Sequence, residues 1–116
     1  MKDISKTIEY KNKEYKLVFN LNAMEQIQEE YGTLDKWGDL SDGTTSGEPN
    51  AKAVIFGFAA MLNEGIDIDN EEKGEDVKPL TLKQVGRMIT EIGFDNATNV
   101  LNQAVIDSTQ STEKNE

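Results

Sequence analysis

The sequence predicts an α+β fold in which an N-terminal β-hairpin packs on a mainly α-helical domain of four to five helices. The apolar residues follow a period of two up to Phe19 and helical spacing after it. The chain has 116 residues, of which 36% are hydrophobic, and it shows no internal repeat. A chain of this size can bury one hydrophobic core but not two, so we expect a single domain.

The hairpin is predicted over residues 4–19, in two runs where apolar and polar residues alternate. The residues between the runs, 11–14, include Asn12, a residue type that tolerates the positive φ of a tight turn. An isolated two-stranded hairpin is marginally stable in water. We therefore expect helices to cover its apolar face.

Two helices are predicted directly after the hairpin. The first covers residues 22–31, because Asn22 and Glu25 have the spacing of a capping box and Gly32 follows as a C-terminal glycine. Thr33 can cap a short second helix. Apolar residues at helical spacing in these two segments are Met24, Ile27, Tyr31, Leu34, Trp37 and Leu40.

A third helix is predicted to begin near Pro49 and to run through Leu62. Its interior is apolar nearly all round, so it is either central or has a second face that binds a partner. Seven acidic residues and one lysine fall within residues 64–76, a composition typical of a solvated loop. We therefore predict loops over residues 41–48 and 65–79.

Two more helices are predicted in the last third of the chain. Thr81 and Gln84 form a second capping box ahead of an apolar stripe, and Asp95 can cap the helix that follows. No apolar residue occurs after residue 107. We therefore assign residues 1–108 to one domain and residues 109–116 to a flexible polar tail.

Composition argues against several classes of function. The chain has no histidine, no cysteine and a formal net charge of -10. Without these residues it lacks the usual nucleophiles, bases and zinc ligands, so we predict no enzymatic activity and no cofactor. With Arg87 as its one arginine, an acidic chain is poorly suited to nucleic acid. We find no signal peptide and no apolar run long enough to span a membrane.

The acidic segment also resembles part of a calcium-binding loop, because carboxylates alternate along residues 67–71. The rest of the EF-hand pattern is absent. Glu72 stands where the motif needs glycine, and Lys78 stands where it needs a bidentate glutamate. We predict no metal site here and interpret the acidic run as a solvated surface.

The strongest functional signal is a surplus of aromatic residues and methionines. Such side chains are common on surfaces that bind hydrophobic partners. The partner-binding residues that we predict are Trp37, Phe58, Met61 and Met88. The alternative is that each of them is simply part of the core, which is the commoner role for any one such residue.

The residue order resembles that of the tail assembly chaperones of long-tailed phages and prophages of Gram-positive bacteria. The strings that carry the resemblance are YKLVFNLNAM at 15–24, EYG at 30–32 and LTLKQVG at 80–86. The similarity covers about residues 4–108 and includes the short hairpin, the small Leu/Trp segment and the apolar central helix. It includes no catalytic motif.

The resemblance implies a non-catalytic protein in the cytoplasm of the bacterial host. Such a chaperone binds the hydrophobic tape measure protein, promotes assembly of tail tube protein around it, and is absent from the mature virion. We also allow for self-association of the chain. Two other interpretations stay open, a structural head or tail component of a phage particle and an acidic protein that mimics DNA.

Overall fold

A computed structural model of the protein describes residues 5–44 and 47–114. Over these residues the fold is α+β, as predicted, with a two-stranded antiparallel sheet followed by five helices. The elements are β1 (Ser5–Tyr10), β2 (Lys13–Val18), α1 (Leu21–Tyr31), α2 (Leu34–Ser41), α3 (Ala51–Lys73), α4 (Leu82–Ile92) and α5 (Phe94–Lys114). The predicted first hairpin residue, Ile4, lies outside the described residues, as do positions 45–46 of the predicted first loop and 115–116 of the predicted tail.

The hairpin confirms the prediction from alternating residues. Its strands pair from Ser5 opposite Val18 to Tyr10 opposite Lys13, and a two-residue turn joins them. Lys11 and Asn12 form that turn with φ angles of 53° and 63°. Positive φ at both turn residues matches the right-handed twist of the two strands.

The long helix α3 occupies the centre of the fold. It packs against β2, α1, α2, α4 and α5, and these elements cover most of its apolar residues. Its stretch from Ala53 to Leu62 is buried except at Ile55 and Phe56. The predicted central position is confirmed.

Two glycines allow neighbouring elements to approach α3 closely. A Cβ atom at Gly57 would overlap the indole ring of Trp37, whose Nε1 donates a hydrogen bond of 2.9 Å to the Ala53 carbonyl. A Cβ atom at Gly65 would lie 2.5 Å from the Lys16 carbonyl oxygen of β2. These two close contacts fix α2 and the hairpin on α3.

The predicted loop over residues 65–79 is wrong in its first part. There α3 continues through the acidic segment to Lys73. Gly74, in the left-handed conformation with φ 67°, ends the helix. Two carboxylates of this acidic segment have partners that composition does not reveal. Lys16 pairs with Asp69 at 3.0 Å, and Glu64 is buried with only 8% of its surface exposed.

The buried carboxylate of Glu64 joins the middle of α3 to the start of α1. It accepts hydrogen bonds from Asn20 Nδ2 at 2.8 Å and from Asn22 Nδ2 at 3.1 Å. The other side-chain atom of Asn20, Oδ1, accepts from the Ala23 amide and so caps α1. The N-cap of α1 is therefore Asn20 and not the predicted Asn22, whose amide is drawn to Glu64.

Two asparagines of α3 hold the extended connection to α4. Asn63 donates to the Leu80 carbonyl at 3.0 Å and accepts from the Leu80 amide at 2.8 Å. Asn70 makes the same pair of bonds with Val77, each 3.0 Å long. The predicted loop is thus confined to residues 74–81, and side-chain amides hold it against α3.

The boundaries of α3, α4 and α5 agree with the sequence predictions to different degrees. The capping box of Thr81 and Gln84 is present at the start of α4, as predicted. The N-cap of α3 is Asn50, so Pro49 precedes the helix.

The backbone of α5 is helical to Lys114, where a polar tail was predicted from 109 onward. An apolar stripe is needed to dock a helix, but extending one that has already formed needs only one hydrogen bond per residue.

Gly57 provides a test of the contact between α2 and α3. Because a Cβ atom there would overlap Trp37, we expect Gly57→Ala to destabilise the fold by about 1–3 kcal/mol, as overpacking does. The control is Gly38→Ala in α2, where nothing lies within 4 Å of the added Cβ. Urea unfolding should show the control unchanged or more stable, and equal stability of both variants would contradict the close contact.

Candidate partner-binding groove

The four residues predicted to bind a partner all lie in the core. The exposed fractions are 4% for Trp37, 0% for Phe58, 0% for Met61 and 1% for Met88. The predicted binding face is therefore corrected, because the five elements packed around α3 cover these side chains. The surplus of large apolar residues is used inside the fold.

An apolar groove elsewhere on the surface is the candidate binding site. It lies between α3 and α4, has a volume of 520 Å³, and is called the α3/α4 groove below. The residues that line it are Glu30, Lys52, Ile55, Phe56, Leu82, Lys83 and Gly86. Its apolar lining comes from both helices, and three charged side chains, Glu30, Lys52 and Lys83, complete it.

The spacing of these residues along each helix explains why they share one surface. On α3 the residues Lys52, Ile55 and Phe56 are three and four positions apart, which places them on one face. On α4 the same relation holds for Leu82 and Gly86. A depression between the side chains of two packed helices is a surface into which the side chains of a third helix can pack.

Tyr31 of α1 supports Phe56 from behind. The two rings meet edge to face, with centroids 5.7 Å apart and planes inclined at 79°. The Tyr31 hydroxyl is buried and has no hydrogen-bond partner among the described residues. This burial, followed by the nearby charge of Glu30, raises the pKa of Tyr31 above its ordinary value. The edge-to-face contact with Tyr31 helps to hold the Phe56 ring at the groove.

The α3/α4 groove leaves a large aliphatic side chain open to solvent. Leu82 is 54% exposed, and Ile55 and Phe56 are half-buried. Other large exposed hydrophobic residues among those described are Leu21, Phe94 and Ile106, and none of them lines the groove. A cluster of apolar atoms at a depression marks a binding surface more strongly than scattered exposed residues do.

The charged edge of the groove is only weakly paired. Lys52 approaches Glu30 at 3.9 Å, and both side chains are well exposed. A surface pair of this kind contributes about 0–1 kcal/mol. Lys83 is exposed and makes no ion pair with another described residue. Among the described residues, only the weak contact of Lys52 with Glu30 competes with an acidic partner for these two lysines.

The acidic part of α3 does not form a comparable site. Two depressions lined mostly by polar side chains lie along it, one beside Lys16 and Asp69 and one beside Glu64 and Glu71. Across 5–44 and 47–114, no three acidic side chains converge in a way that could hold a metal ion. Residues 67–71 belong to α3 and are not a calcium loop.

Comparisons with known proteins add no relative. No protein-family model, curated protein or solved structure matches the chain. Within the described part of the chain, no helix is long and apolar enough to cross a membrane.

Sequence reasoning missed Ile55, Phe56 and Leu82, although a signal for Phe56 exists. Phe56 and Phe58 are two positions apart and so lie on opposite sides of α3. The two rings therefore cannot contact the same neighbouring element. Phe58 is the fully buried member of the pair, which leaves Phe56 at the edge of the core. The choice between them depends on tertiary packing and not on local pattern.

Burial of the four predicted residues has a measurable consequence. We expect Met61→Ala and Met88→Ala each to lower the free energy of unfolding by about 2–5 kcal/mol, the cost of a cavity in a packed core. The comparison variant is Leu82→Ala, which we expect to cost clearly less because the side chain is half exposed. Circular dichroism melts would contradict the assignment if the methionine variants melted with the wild type.

Proposed function

We propose that the protein is a non-catalytic tail assembly chaperone that binds hydrophobic helical segments of the tape measure protein of a long-tailed phage or prophage. The observation that carries the proposal is the α3/α4 groove, an apolar depression between two helices that is open to solvent. The sequence resemblance supplies the identity of the client. In this proposal the protein acts in the host cytoplasm and is absent from the finished virion.

The groove has the physical properties that holding such a client requires. An amphipathic helix binds by laying its apolar face into a groove of this kind. Each square ångström of apolar surface removed from water contributes about 25 cal/mol. Leu82, Ile55 and Phe56 all have surface left to bury. The client's apolar residues are thereby kept from each other, which prevents aggregation.

The charge of the chain supports the same role. A formal net charge of -10 keeps a complex with an apolar client dispersed by electrostatic repulsion. This charge is unevenly distributed, since residues 1–20 carry five lysines against three acids. The sequence resemblance also implies the tail tube protein, which we include in this proposal as a second partner.

Co-expression with the tape measure protein of the same phage or prophage tests the proposal. The wild-type chain should keep that client soluble, and Leu82→Ser should weaken the complex roughly 4–15-fold. Full burial of an exposed leucine contributes about 1.5–3 kcal/mol, and Leu82 has 54% of its surface left to bury, which leaves about 0.8–1.6 kcal/mol at 1.4 kcal/mol per tenfold change.

The matched control is Leu21→Ser, which removes an exposed leucine, 79% accessible, that does not line the groove. Both variants should melt near the wild-type temperature. A wild-type chain that never retains the tape measure protein would rule out the proposal, as would the presence of the chain in purified virions at the level of a structural component.

A further inference from the structure

We infer that the α3/α4 groove takes an amphipathic helix that seats one large apolar side chain over Gly86 and carries acidic residues beside Lys52 and Lys83. This inference rests on the proposed function, because it specifies the chemistry of the client segment at the same groove. It is carried by the glycine in α4 and by the charges at the edge of the groove.

Gly86 is unexplained by packing within the chain. A glycine inside a helix destabilises that helix relative to alanine, so its presence needs a physical explanation. Gly57 and Gly65 have one, since Trp37 and the Lys16 backbone occupy the space beside them. A Cβ atom at Gly86 would meet only Ile55 Cδ1, at the ordinary contact distance of 3.6 Å. Alanine would fit there, yet the position has no side chain.

The absence of a side chain at Gly86 deepens the groove at one point. Ile55 and Phe56 stand on the α3 side of that point, and Leu82 stands one helical turn before Gly86 on α4. A depression that these four residues of two helices surround has room for one side chain of a third helix. A large aliphatic or aromatic residue of the partner fits such a depression.

The sign of the charge at the groove selects the flanking residues of the partner. Two lysines and one glutamate give the edge a net charge of +1, whereas the whole chain carries -10. A basic helix would be attracted to most of the surface, but an acidic one is favoured only where lysines are exposed. Lys52 is 77% exposed, and its 3.9 Å contact with Glu30 is easily exchanged.

Two synthetic helical peptides test the inference. Both carry the same leucine stripe at helical spacing, flanked by glutamates in one and by lysines in the other, and binding is followed by fluorescence anisotropy. At about 0.15 M salt the screening length is roughly 8 Å, so the lysines at the groove act more strongly on a bound peptide than distant acidic residues do, and the glutamate peptide should bind at least tenfold more tightly. The preference should shrink at about 1 M salt, where the screening length falls to roughly 3 Å. Equal binding or a preference for the lysine peptide would overturn the inference.

Gly86→Leu fills the depression and tests its role. We expect it to weaken binding of the glutamate peptide at least tenfold without lowering the melting temperature, because leucine favours the helix more than glycine does. The control is Gly38→Leu in α2, where nothing lies within 4 Å of the added Cβ. Unchanged binding by Gly86→Leu, with the fold intact, would overturn the inference.

Lys83→Glu tests the charge separately and should abolish or reverse the preference between the two peptides. Analytical ultracentrifugation adds a further readout. A wild-type dimer that Gly86→Leu converts to monomer would mean that a second copy of the chain occupies the groove, and the inference would fail.

Co-expression separates this inference from the proposed function. If the wild type retains the tape measure protein and Gly86→Leu retains it equally well, the function stands and the role of Gly86 is refuted. If the wild type never retains that client, the function is refuted whatever the peptides do. If the wild type retains it and Gly86→Leu does not, both are supported.

Discussion

The central constraint on this fold is that the first half of α3 is apolar on nearly every side and cannot face water. A helix of this kind must be surrounded, and the hairpin, α1, α2, α4 and α5 all pack against it. The closest contacts form where α3 has no side chain, at Gly57 under Trp37 and at Gly65 under the β2 backbone. The positions of α2 and of the hairpin follow from these two glycines.

The second half of α3 is polar, and it connects the outer elements to one another. Glu64 holds both Asn20 and Asn22 at the start of α1, and Asn63 and Asn70 hold the connection that leads to α4. The buried Ser108 hydroxyl adds a link from α5 to the Phe19 carbonyl at the end of the hairpin, at 3.0 Å. Most polar groups drawn into the interior are therefore satisfied by partners distant in sequence.

The α3/α4 groove is the place where the covering of α3 is incomplete. Ile55 and Phe56 are the two residues of its apolar stretch that remain half-buried, and Gly86 provides no side chain to cover them. The apolar surface of Ile55 and Phe56 that the chain itself does not bury is a surface that a further helix can cover. Binding a helical client would complete the packing that the chain begins by itself.

Local patterns in the sequence were sufficient where neighbours along the chain determine the structure. The alternation up to Phe19, the glycine after Tyr31 and the capping box at Thr81 each depend on residues a few positions apart. The helical course of residues 64–73 was not predictable in this way, because the partners of Glu64 and Asp69 come from the hairpin and the start of α1. The groove was missed for a related reason, since burial of Phe58 and exposure of Phe56 follow from contacts between helices.

Methyl NMR of the full chain with the tape measure protein shows whether a client occupies the α3/α4 groove. In a complex that uses the α3/α4 groove, the methyl resonances of Ile55 and Leu82 should shift or broaden as client is added. Those of Leu21 and Ile106, which are exposed but outside the groove, should stay unchanged. Shifts confined to Leu21 and Ile106, with Ile55 and Leu82 unaffected by a bound client, would contradict this account.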